Sequence, residues 1–120
     1  MYKRQGYIPD TKSTRSSALS TLQNWFADSN SSPAEGLQKA LKVFAKPNSS
    51  LSIYVLGDDY TGSSYDDVLS VIDQYNRNRT TGKPIASIHG IEFNPGRRGD
   101  RFATLMREVA YRNNGVFLTL

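Results

Sequence analysis

At 120 residues, 38% hydrophobic and 22% charged, the chain has the size and composition of one globular domain or part of one. No apolar run is long enough for a transmembrane helix, and the opening residues are not read as a secretory leader, because no apolar core follows their basic residues. The absence of cysteine excludes disulfides, zinc–thiolate centres and cysteine nucleophiles; a net charge of +4, with Lys3 and Arg4 contributing two units, is too small to argue for nucleic acid.

Residues 1–5, Met-Tyr-Lys-Arg-Gln, carry no hydrophobic pattern and are read apart from the rest. Residues 6–17 are polar and predict a loop or disordered lead-in, which leaves 18–120 as the domain. Leu19, Leu22 and Phe26 then share one helical face, with Trp25 beside them. The run 31–47 carries the clearest helix signal. Ser32 suits the cap, Pro33 the first helical position, and Glu35 completes an S-x-x-E capping box. Leu37, Ala40, Leu41 and Phe44 form its inward stripe, and Pro47 marks its stop.

Residues 51–59 predict a short strand that ends in a Gly-acidic turn. Residues 65–78 predict a helix with Val68, Val71, Ile72 and Tyr75 inward, and with Asp66 and Asp67 in the first turn where they favour the helix dipole. A second strand is expected at 85–93. The last helix, 101–115, turns Phe102, Leu105, Met106, Val109 and Ala110 inward and stops at Asn114-Gly115. A final strand is expected over 116–120.

Strands alternating with helices imply parallel strands joined by right-handed crossovers. The expected fold is therefore α/β: a three-layer α/β/α sandwich on a Rossmann-like parallel sheet, both faces covered. Three strands make a small sheet, and the opening helices presuppose a sheet already in place. The sequence is accordingly read as the carboxy-terminal half of a larger domain.

Ligands of open α/β sheets bind beyond the carboxyl ends of the strands. Three loops matter on that rule: 57–64, 94–100 and 28–32. Asp58 and Asp59 supply hard oxygen donors suited to Mg²⁺, Mn²⁺ or Ca²⁺, though adjacent residues of an extended chain diverge, so at most one is expected to ligate. Ser31 and Ser32 offer hydroxyl oxygens, with helix capping the competing role for Ser32. Thr61 is a rim hydroxyl or a turn residue. His89, the single histidine, lies within a strand and reads as a packed or half-exposed residue rather than a catalyst. The chain has no G-x-S-x-G elbow, no G-x-G-x-x-G and no phosphate loop. Loose basic clusters at Arg77, Arg79, Lys83 and at Arg97, Arg98, Arg101 read as solvated surface.

The segments "SSPAEGLQKAL", "IYVLGDDYTG", "SIHGIEFN" and "LMREVAYRNNGVFLTL", in this order and spacing, resemble the carboxy-terminal half of a von Willebrand factor type A domain. The resemblance runs from about Leu19 to the end. It implies a metal-ion-dependent adhesion site in which Asp58 stands at the aspartate of the family's T-D-G motif, and Ser31 or Ser32 at its loop threonine. The family's D-x-S-x-S motif has no counterpart here and would lie upstream of residue 6. Gly57 replaces the threonine before that aspartate, Asp59 replaces the glycine after it, and Glu92 stands where the family favours a small residue.

The function so implied is a non-catalytic protein-binding or adhesion module. It would have a site for Mg²⁺ or Mn²⁺ that is filled in the intact domain and incomplete in this fragment, which is expected to bind no ion, with Asp59 and Thr61 at its rim and an acidic residue of a protein partner completing the metal's shell. No nucleic acid and no membrane insertion are expected. Two alternatives are an enzyme, hydrolase-like or other, on a Rossmann-like scaffold using Asp58 or Asp59 with His89, and a metal-free scaffold subunit. Residues 1–5 resemble the translation of a transposon-end sequencing adapter, in keeping with a first strand expected upstream.

Overall fold

The computed structural model describes residues 6–24, 33–46, 48–93 and 100–120. In chain order these form α1 (Lys12–Gln23), α2 (Pro33–Phe44), β1 (Leu51–Gly57), α3 (Asp66–Tyr75), β2 (Ala86–Glu92), α4 (Arg101–Arg112) and β3 (Phe117–Thr119). The strands make one parallel sheet in the order β1-β2-β3. This is the expected α/β, Rossmann-like arrangement.

The register explains which side chains meet. Leu51, Ile53, Val55 and Gly57 pair with Ala86, Ile88, Gly90 and Glu92, and Gly90 pairs in turn with Phe117. Side chains alternate along a strand, so these positions share one face. The sheet residues of the core are all drawn from that set: Ala86 and Ile88, with Leu51, Ile53, Val55 and Phe117 packed beside them. Against them lie Leu37 and Leu41 of α2, Val68 and Ile72 of α3, and Phe102, Leu105, Met106 and Val109 of α4. Burying each of these larger side chains contributes about 1.5–3 kcal/mol.

Strands laid side by side in sequence order, with crossovers of the usual right hand, carry both connecting helices to the same side. The opposite face therefore differs from the expectation that both would be covered. Among the described residues Tyr54, Leu56 and Leu118 remain 60%, 56% and 54% exposed, and His89 and Ile91 beside them are half-buried.

α1 starts at Lys12, earlier than its apolar spacing predicts, because a local cap begins it. The Thr11 side chain accepts the Thr14 N–H at 3.2 Å, and the Thr14 hydroxyl accepts the Thr11 N–H at 3.0 Å. Two threonines thus make the reciprocal box that Ser or Thr with Glu usually makes. α1 buries none of its residues. In α2, Leu37 and Leu41 are buried and Ala40 and Phe44 half-buried; the predicted Ser32 box lies outside the described residues. α4 buries every residue predicted to face inward, and Ala103 as well.

Candidate functional site

The carboxyl ends of the strands are Gly57, Glu92 and Thr119, and the loop 58–65 rises from the first of them. Asp58 is exposed and enters no hydrogen bond or ion pair with a described residue. Asp59 is half-buried, and its Oδ1 accepts the N–H of Tyr60 at 2.7 Å. One oxygen of Asp59 is thus spent on its own turn, whereas the Asp58 carboxylate has no partner among the described residues. Thr61 is exposed at the tip.

Tyr60 holds this loop in place, a role the sequence reading passed over. Its ring is buried in the core, and its hydroxyl donates to the Ser64 carbonyl at 2.6 Å. Burial pushes the Tyr60 phenol above its ordinary value; the Asp67 charge and Tyr65 act in the same direction, and Arg101 opposes them. The Arg101 guanidinium lies 5.6 Å from the Tyr60 ring centre and 5.9 Å from that of Tyr65, and donates to the Gly62 carbonyl at 2.5 Å. A Cβ at Gly62 would overlap the Tyr60 phenol, so the loop closes only over glycine there. An aromatic in a stretch of Thr, Gly and Ser was the available signal: a large apolar ring in a polar loop needs a place to bury itself.

Glu92 is the second residue that the functional reading left aside. It is buried at the carboxyl end of β2, on the helix-facing side and paired in register with Gly57. Two carboxylates thus stand at neighbouring strand ends, one buried and one exposed.

His89 is elsewhere. It pairs in register with Tyr54, four residues before Asp58, or about 13 Å down the strand. Its ring stacks on Tyr54 with centroids 4.7 Å apart and planes at 16°, on the face away from the helices, and its Nδ1 accepts the Val116 N–H at 3.1 Å. It does not form a dyad with either aspartate. Ser31, Ser32, Arg97 and Arg98 lie outside the described residues.

Magnesium and manganese require near-octahedral oxygen shells. Asp58 and Thr61 share one loop, and among the described residues no three His, Cys, Asp or Glu side chains converge. By themselves they do not fit a divalent ion. Also among the described residues, no helix is long and apolar enough to cross a membrane.

No family model, curated protein or solved structure matches this chain. Its fold is established by its own topology.

Proposed function

We propose that the chain is a non-catalytic protein-binding module of the von Willebrand factor A type that engages its partner at the carboxyl-end rim. The observation that carries this reading is Asp58: an exposed carboxylate, bound to no described residue, on a loop fixed from beneath by Tyr60 and Arg101. A rigid loop that presents an unspent charge is preorganised for recognition. In this reading Asp58, with Ser31 or Ser32, belongs to an incomplete site for Mg²⁺ or Mn²⁺. The partner then contributes an acidic side chain, and Asp59 and Thr61 flank the contact.

A nitrogen-edited NMR titration tests it. An incomplete site holds no ion tightly but still attracts one, so only Mn²⁺ in large excess should broaden the amides of 57–62 of the 120-residue chain, and Asp58→Ala should remove that effect. Equal broadening in both proteins excludes the metal half of the reading. With Mg²⁺, a short peptide with one glutamate should shift the same amides; no shift at this rim, or shifts confined to other surfaces, counts against recognition there.

A second reading, a metal-free scaffold subunit, is favoured by the uncovered sheet face that holds Tyr54, Leu56 and Leu118. The enzyme reading has no such support, since His89 and the aspartates occupy different parts of the sheet.

A further inference from the structure

β3 is short, and its place at the edge of β2 rests on a small set of bonds. Gly90 donates its N–H to the Val116 carbonyl at 3.0 Å, and Leu120 donates to the Glu92 carbonyl at 2.9 Å. The Val116 N–H, just ahead of the strand, has a side chain as its acceptor: His89 Nδ1, at 3.1 Å. This bond spans 27 residues and joins the central strand to the segment that follows α4.

The bond fixes the state of the ring. A ring nitrogen that accepts carries no proton, so the single proton of the neutral imidazole sits on Nε2. Stacking on Tyr54, with planes at 16°, holds the ring in that orientation. An imidazolium has a proton on both nitrogens and no lone pair to offer Val116. Two N–H groups would then point at each other.

No neighbouring charge offsets this. The outward positions around the ring, Ser52 and Leu56 on β1, Ser87 and Ile91 on β2 and Leu118 on β3, are uncharged, and the phenol of the remaining one, Tyr54, belongs to a class that does not ionise in acid. Asn113, Asn114 and Gly115, which lead into Val116, are neutral. Glu92 lies on the opposite side of β2, and the Arg107 guanidinium lies over the Phe117 ring. Among the described residues His89 forms no ion pair.

We propose that His89 is a proton-operated latch on β3. The neutral ring holds the start of the strand against β2, and the protonated ring releases it. The direction follows from which form can accept: the latch is closed while the ring is neutral and opens as the ring takes up a proton in acid. Opening frees the edge of the central strand at Gly90 and Glu92 and loosens Phe117 from the core. The rim aspartates take no part, since His89 lies about 13 Å down the strand from Asp58.

Amide hydrogen exchange of the 120-residue chain at about pH 8 and about pH 5, on either side of the ordinary histidine range, tests this once corrected for the intrinsic effect of pH. Protection over 116–119 should fall about five- to tenfold in acid, while protection across the β1–β2 pairing holds. His89→Asn keeps an oxygen acceptor that does not titrate, and His89→Phe keeps a ring for Tyr54 but no acceptor. Neither should respond to pH over 116–119, and His89→Phe should be weakly protected at both values. Nitrogen-15 shifts of the wild-type imidazole should show the Nε2–H form at about pH 8. Unchanged wild-type protection in acid overturns the proposal, as does an Nδ1–H ring at about pH 8, and neither measurement needs a variant that folds. An equal acid response in His89→Phe overturns it too.

Discussion

Asn76 and Asn113, both fully buried, hydrogen-bond to each other: the Asn76 side-chain amide donates to Asn113 Oδ1 at 2.9 Å. Each follows a helix, Asn76 after α3 and Asn113 after α4. Asn76 also donates to the Ala86 carbonyl at 2.8 Å and accepts the Ala86 N–H at 2.7 Å, while Asn113 donates to the Val109 carbonyl at 2.8 Å. One polar joint therefore ties the ends of two helices to the start of the central strand. Arg77 reaches the same Asn113 oxygen at 3.1 Å from the exposed side.

Breaking the joint leaves several buried groups without partners. Asn76→Ala is expected to destabilise the chain by roughly 2–4 kcal/mol, more than the loss of one hydrogen bond, because the Ala86 N–H and carbonyl both lose a side-chain partner. Urea denaturation with an unchanged slope will measure it. A loss below about 0.5 kcal/mol would show that the joint is not formed in solution.

The turn after α4 allows no side chain at Gly115. A Cβ there would run into the backbone carbonyl of Ile88, in the centre of the sheet. Gly115→Ala should cost about 2 kcal/mol or more, since backbone rather than a movable side chain must shift. Asn114 next to it has φ 52°, so Asn114→Gly should be tolerated within about 0.5 kcal/mol. Thermal melts of the two variants should rank in that order, and the opposite order would refute the packing.

Tyr60 makes stability fall in alkali. Its folded pKa is raised, mainly by burial, above the ordinary tyrosine value of 10.0. The unfolded chain therefore loses this proton first. The contribution is fully present below pH 10 and is lost as pH rises through the folded value. Tyr60→Phe should flatten the alkaline limb of the stability profile. An unchanged alkaline limb in that variant would rule out the assignment.

The rim loop should loosen without global unfolding when its closure is disturbed. Gly62→Ala displaces the Tyr60 phenol, and Arg101→Ala removes the cation over the Tyr60 and Tyr65 rings. Amide exchange within 58–65 is expected to speed by about tenfold or more in both variants, with protection in β2 preserved. Equal acceleration in β2 would mean that the loop is part of the global folding unit.

Most of the architecture was legible because the apolar spacing of this chain is regular. Val68, Ile72, Leu105, Met106 and Val109 fall at helical intervals and are fully buried, and the three strands sit within a residue or two of their predicted bounds. α1 was misjudged at its start because its signal is the Thr11–Thr14 cap, which contains no apolar residue. The uncovered face is a property of strand order. An alternating strand in which Tyr54 and Leu56 are exposed reads, one residue at a time, like a strand covered on both sides. At the rim, Asp58 and Asp59 were legible as a pair, but their division of labour was not. It depends on which carboxylate turns back to the Tyr60 N–H, a local geometry that the adjacent letters Asp-Asp do not encode.

Because every strand bonds to the one made next, the sheet can assemble in the order of synthesis. A nascent chain that has emerged only as far as Glu92 already holds β1, α3 and β2, a complete parallel crossover, and needs nothing from later residues to set its register. β3 then joins a formed edge through the Gly90–Phe117 pairing. Each pairing closes its own loop, from Leu51 to Ala86 and then from Gly90 to Phe117, so the entropy of loop closure is met one crossover at a time, and the early part of the chain can begin to order before the ribosome releases the rest.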